Sequence, residues 1–296
     1  MLNKTFGIEV EMTGITRCQA AKVAQSILGG EVVRKGDYYD TYSVVAPDGR
    51  KWNFMSDGSI ACYDKNRRPA SKLYSVEFVT PPCLYNEDMG TIQAIVRALK
   101  AAGAFCPPGT GIHVHLDGAA HTPASLRRFI NIIGAKGDLL YDALEIPAGR
   151  RRWCQKMDAR LLKEVNEKKP NTFQELENIW YEANNATYGR TQHYNESRYH
   201  LLNLHSYFNM SHHTVEIRAF NSTLHAGKIR AYVVLALAIN HQALTQRTAR
   251  LQRPQDNKLA AMTNWLRRIG LKGEEFENCV KHLTNPLRKR PANTEN

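Results

Sequence analysis

Apolar and polar residues alternate in four stretches of this chain. In Phe6–Met12, Phe6, Ile8, Val10 and Met12 fall on one face, with Glu9 and Glu11 on the other. In Ser75–Thr80, Val76 and Phe78 oppose Glu77. In Gly111–Asp117, Ile112, Val114 and Leu116 oppose His113 and His115. In Thr214–Phe220, Val215, Ile217 and Ala219 oppose Glu216 and Arg218. A period of two predicts half-buried β-strands. Tyr42–Ala46 and Arg50–Phe54, separated by the turn Pro47-Asp-Gly49, predict an antiparallel hairpin. Ser56-Asp-Gly-Ser59 then reads as a polar turn at a strand end. Tyr199 to Phe208 also has strand-like character.

Helical spacing fills the rest. Thr16 caps a helix from Arg17 to about Leu28, ended by Gly29-Gly30. Asn86 opens a second helix to about Ala102, and Thr122-Pro123 caps a third. Residues 138–190 are helical and more polar, and read as an insertion or lid around Arg150-Arg-Arg152. A long apolar helix follows Gly227, then amphipathic helices near Leu259–Ile269 and Glu274–Leu283. The expected organisation is one catalytic domain over residues 1–285 and a disordered basic tail over 286–296.

Composition narrows the class. The 296 residues suffice for a sizeable core. No signal-peptide run is evident, and the apolar run at Tyr232–Ile239 is too short to span a bilayer. The six cysteines form no CxxC pair, so they read as reduced thiols in a cytoplasmic protein. The net charge of +12 suits a polyanionic partner. Much of it is local, at Arg150–Arg152 and at Arg288-Lys-Arg290, and two solvated basic patches are the simpler account, a nucleic-acid or nucleotide-phosphate role the other.

The polar faces carry the candidate chemistry. Any one of them could be the wet side of an antiparallel sheet. Together they hold Glu9, Glu11, Glu77, His113, His115, Glu216 and Arg218, with Asp57 at a strand end, and no lysine. Carboxylates concentrated without lysine partners repel one another unless cations sit among them. Oxygen ligands with an occasional imidazole suit Mg²⁺ or Mn²⁺. Arg218 shares a face with Glu216, where a guanidinium could clamp phosphate.

In this order, Gly7-Ile-Glu-Val-Glu11, Ser56-Asp-Gly-Ser59, Glu77-Phe-Val-Thr-Pro81, Gly111-Ile-His-Val-His115 and Thr214-Val-Glu-Ile-Arg218 resemble the amidoligase family. These are carboxylate–amine ligases related to glutamine synthetase and glutamate–cysteine ligase. Asn203-Leu-His205 after Arg198 resembles the segment preceding the family's last Glu-x-Arg strand. The resemblance covers residues 6 to 225 and implies an α+β fold. Its core would be a bent antiparallel sheet of about six strands, a half-barrel with helices on its outer face.

The resemblance also implies ATP and two metal ions. Glu11, Asp57 and Glu77 would hold one, and Glu9, His113 and Glu216 the other. His115 would lie near the nucleotide or acyl group, and Arg218 with Arg198 would contact the transferred phosphoryl group. ATP would activate a carboxylate as an acyl phosphate, which an amine of a small molecule or peptide then attacks. No GxxxxGK[ST] loop is present, which disfavours a P-loop kinase.

Two other readings stay open. One is a metallohydrolase that uses His113 and His115. The other is a basic protein that binds nucleic acid without catalysis. A ligase acting on a substrate carried by a polyanion would combine two of these ideas.

Overall fold

The structure, a computed structural model, describes residues 1–209, 213–249 and 257–288. Its chain contacts divide into two units. The N-terminal unit comprises residues 2–114 and 220–233; the C-terminal unit comprises Met1, residues 115–219 and those from 234 onward.

The N-terminal unit holds β1 (Phe6–Met12), α1 (Arg17–Leu28), β2 (Glu31–Arg34), β3 (Tyr42–Val45), β4 (Lys51–Met55), β5 (Val76–Val79) and α2 (Tyr85–Ala101). It also holds the first residues of β6 (Gly111–Asp117). The alternation seen in β1 is realised: Phe6, Ile8, Val10 and Met12 are fully buried. Phe54 and Phe78 stack over them in the same core, ring centroids 5.0 Å apart. Helix α1 packs on α2, β3 and β4 through Ala20, Ala21 and Ala24, whose small side chains let it lie close. Its N-terminus is a capping box between Thr16 and Gln19. Gly30 is required at its exit, because φ is +71° and a Cβ there would lie 1.9 Å from the Val45 carbonyl oxygen.

The C-terminal unit contains the rest of β6, α3 (Pro123–Ala143), α4 (Ala159–Lys168), α5 (Phe173–Ala183), β7 (Leu202–Asn203) and α6 (His205–Phe208). It also contains most of β8 (Thr214–Asn221) and of α7 (Ala226–Thr245), then α8 (Lys258–Arg268) and α9 (Glu274–Arg288). A short 3₁₀ turn, Ala148–Trp153, carries the arginine cluster.

The fold is α+β with an open antiparallel sheet. Eight strands are described, hydrogen-bonded in the order β2-β3-β4-β5-β1-β6-β8-β7. The sequence predicted about six. Strand β2 was missed because none of its residues is buried, so it has no apolar face to announce it. The stretch Tyr199–Phe208 is strand for only two residues and turns into α6. Asn203 Oδ1 accepts the backbone N–H of His205 at 2.8 Å and diverts the chain out of the ladder.

Helix α9 runs five residues past the expected Leu283 end, through Pro286 to Arg288, and the rest of the expected tail lies outside the described residues. No described helix is long and apolar enough to cross a membrane. The six cysteines are free thiols. Burial pushes the Cys83 and Cys106 thiols up to about 12, so neither is a ready nucleophile.

Candidate functional site

Antiparallel register assembles the acidic face of the N-terminal unit. Glu11 of β1 lies directly opposite Glu77 of β5, and Met55 of β4 pairs with Glu77 from the other side. Asp57 follows two residues after Met55. Its backbone is held by Ser75, whose Oγ accepts the Asp57 N–H at 2.9 Å and donates to the Asp57 carbonyl at 2.6 Å. Its own carboxylate accepts the Ser59 N–H, which makes Ser56–Ser59 an Asx turn.

His113 is buried among these acids. Its Nδ1 lies 2.8 Å from Glu9 Oε2, and its Nε2 lies 3.8 Å from Glu11 Oε1. The other oxygen of Glu11 accepts the Gly111 N–H at 2.7 Å, which fixes the carboxylate plane. Candidate ligand atoms of Glu11, Asp57 and Glu77 lie within 4.8 Å of one another, as do those of Glu9, Glu77 and His113.

Like charges directly opposite on a sheet are destabilising. At about 4 Å and an effective dielectric near 20, each such pair costs about 4 kcal/mol. His113, when protonated, brings at most one positive charge to Glu9 and Glu11. The donor set therefore fits divalent cations. The all-oxygen group Glu11–Asp57–Glu77 matches Mg²⁺, and the imidazole-bearing group also admits Mn²⁺.

The C-terminal unit holds the other predicted residues. Pairing of β7 with β8 sets Asn203 opposite Glu216. Glu216 is 1% exposed. Arg218 Nη1 donates to one of its oxygens at 2.5 Å, and Asn203 Nδ2 to the other at 2.5 Å. Buried carboxylates require this kind of saturation. Arg150 Nη2 donates to the Arg218 carbonyl at 2.8 Å. Arg150 is thus interior, and only Arg151 and Arg152 of the cluster face solvent.

The Arg198 and Arg218 guanidinium carbons lie 5.9 and 6.0 Å from the centre of the Tyr199 ring. Arg198 Nη1 donates to the His193 carbonyl at 3.1 Å, while its Nε is buried with no hydrogen-bond partner. His115, half-buried, hydrogen-bonds Thr214 Oγ1 through Nδ1 at 3.2 Å.

Sequence reasoning assigned no role to the residues that orient these groups. Asn203 is held by the His205 N–H. The His205 ring takes the Tyr181 hydroxyl at Nδ1, 2.7 Å away, and gives Nε2–H to the Gln192 carbonyl at 2.8 Å. Burial pushes His205 below the ordinary imidazole value and Tyr181 up to about 12, so both act as neutral hydrogen-bonding groups. Asn203 and His205 lay in the segment that carried the resemblance. Tyr181, on α5, gave no signal.

Residues 2–240 match the family described as "putative amidoligase enzyme", and the chain belongs to that family. Membership points to a ligase. The match spans every candidate residue above, whereas α8 and α9 lie beyond it. No curated protein matches the chain.

Proposed function

We propose that this amidoligase-family protein is an ATP- and Mg²⁺-dependent carboxylate–amine ligase working through an acyl phosphate. The observation that carries the reading is the crowding of Glu9, Glu11, Asp57, Glu77 and His113 on one sheet face, with Arg218 fixed by a buried carboxylate elsewhere in the same family match. We read the open sheet as the half-barrel of the glutamine synthetase and glutamate–cysteine ligase catalytic domains.

In the reaction, a carboxylate oxygen of the acid attacks the γ-phosphorus of ATP. The bond to the β-phosphate oxygen breaks and ADP leaves. The amine nitrogen then attacks the acyl carbon and gives up a proton to solvent, phosphate departs, and an amide remains. Divalent cations held by Glu11, Asp57 and Glu77, and by Glu9 and His113, would offset repulsion between the two anionic reactants. Arg218 and Arg198 clamp the transferring phosphoryl group by charge-assisted hydrogen bonds. Glu216, itself held by Asn203, anchors Nη1 of Arg218, so less orientation is left to fix at the moment of reaction. His115 contacts the nucleotide or acyl group.

The test is nucleotide turnover with Mg²⁺ or Mn²⁺ and pools of acids and amines. ADP and phosphate rising with one acid–amine pair is the expected result. Glu11→Gln should lower that turnover by about 10²–10³-fold while the fold is kept, as for loss of other electrostatic stabilisers. AMP with pyrophosphate would reject the acyl-phosphate route. Amide hydrolysis without ATP would replace it with the metallohydrolase reading.

A further inference from the structure

We propose that the C-terminal unit carries a binding face for single-stranded nucleic acid, built from Arg152, Trp153, Tyr199, Arg198, Tyr194 and Tyr188. Rings and guanidinium groups alternate along it. The Arg152 guanidinium carbon lies 4.8 Å from the Trp153 ring centre, and Trp153 meets Tyr199 edge-to-face at 5.0 Å. Arg198 lies 5.9 Å from Tyr199 and 5.4 Å from Tyr194.

An ordinary cation–π cluster that only stabilises a fold would bury its rings. Here Tyr194 is 61% exposed, and Tyr188, outside the ring contacts but in the same loop, is 91% exposed. The loop displaying them is nonetheless pinned. Asn195, 4% exposed, donates Nδ2 to the carbonyls of Ala186, Tyr188 and Gly189 and accepts the Ser197 N–H. Holding tyrosines out to water on a fixed backbone makes a stacking platform whose ordering cost is already met.

Charge agrees with this. Residues 151–156 contain the exposed Arg151 and Arg152, with Lys156 paired to Asp138, and no acid, and residues 186–200 contain Glu196 as their only acid. Guanidinium groups between flat rings suit phosphates between bases. An acidic peptide would use the arginines and leave the tyrosines idle.

At its inner end the face reaches Tyr199, over which Arg218 lies. The bound strand would accordingly carry the ligase's carboxylate or amine. That clause rests on the function proposed above; the binding itself does not.

The experiment is fluorescence anisotropy with a fluorescein-labelled thymidine 12-mer across a salt series. Binding should weaken with salt at about 0.7 log units per log unit for each phosphate neutralised. Tyr188→Ala with Tyr194→Ala, both on exposed rings, should weaken it about tenfold or more without changing the melting temperature. Arg267→Gln with Arg268→Gln on α8 should leave it unchanged. No binding at low salt overturns the proposal. So does equal loss in the α8 variant, or a polyglutamate peptide that competes as well as the 12-mer and ignores the tyrosines. Turnover without strand binding sinks this face alone, whereas strand binding without turnover on either free pools or strand-linked acids and amines sinks the ligase reading alone.

Discussion

Glu216 is saturated by two donors, and the fate of each donor can be tested separately. Removing Asn203 Nδ2 leaves a buried carboxylate oxygen short of a partner. Asn203→Ala should therefore cost about 1–3 kcal/mol in urea unfolding. Asn203→Asp should be worse, since it faces one buried carboxylate with another. Tyr181→Phe takes the hydroxyl from the neutral His205 ring and loosens the support of Asn203 at second hand. Its expected signature is a lower kcat with KM little changed. A Tyr181→Phe enzyme with wild-type kcat would show that the support ends at Asn203.

At the scale of elements, the strongest sequence signals were strands with one buried face. β1, β5, β6 and β8 stand where alternation put them, because a core that accepts one face fixes register as well as position. β2, an edge strand with no buried residue, was illegible, and β7 was read too long: it is two residues before Asn203 turns the chain. Gly29-Gly30 was legible as a helix stop, but only the contact with the Val45 carbonyl shows which glycine is indispensable. Gly30→Ala should destabilise the protein by well over about 1 kcal/mol in thermal or urea unfolding, because both conformation and space are wrong for a Cβ. Gly49→Ala, at φ +81° with nothing near its missing Cβ, should cost less.

For the whole molecule, pH reports on the buried histidines. Burial pushes His200 and His205 below the ordinary imidazole value. A base depressed in the folded state leaves stability intact above its unfolded pKa, about 6.5. Stability is lost as pH falls from there toward the depressed folded values, where the unfolded chain binds protons and the fold does not. The urea midpoint should accordingly drop between pH 7.5 and 5.5, and His200→Gln should flatten that drop. The divalent cations of the proposed site act in the other direction. Saturating Mn²⁺ or Mg²⁺ should raise the melting temperature, by an amount equivalent to about 2.7 kcal/mol at a hundredfold excess over Kd. The rise should vanish in Glu11→Gln.

The sequence alone determined the α+β class, the strands that carry Glu9, Glu11, Glu77, His113, His115, Glu216 and Arg218, and the family, because alternation and motif order are local properties of the chain. Only the tertiary structure decided which carboxylates meet. The opposition of Glu11 and Glu77 depends on the pairing of strands more than sixty residues apart. It also decided that Arg150 is an interior strut beneath Arg218 and that Asn203, at the end of β7, holds Glu216. Burial and long-range hydrogen bonds belong to the packed chain, and no window of sequence contains them.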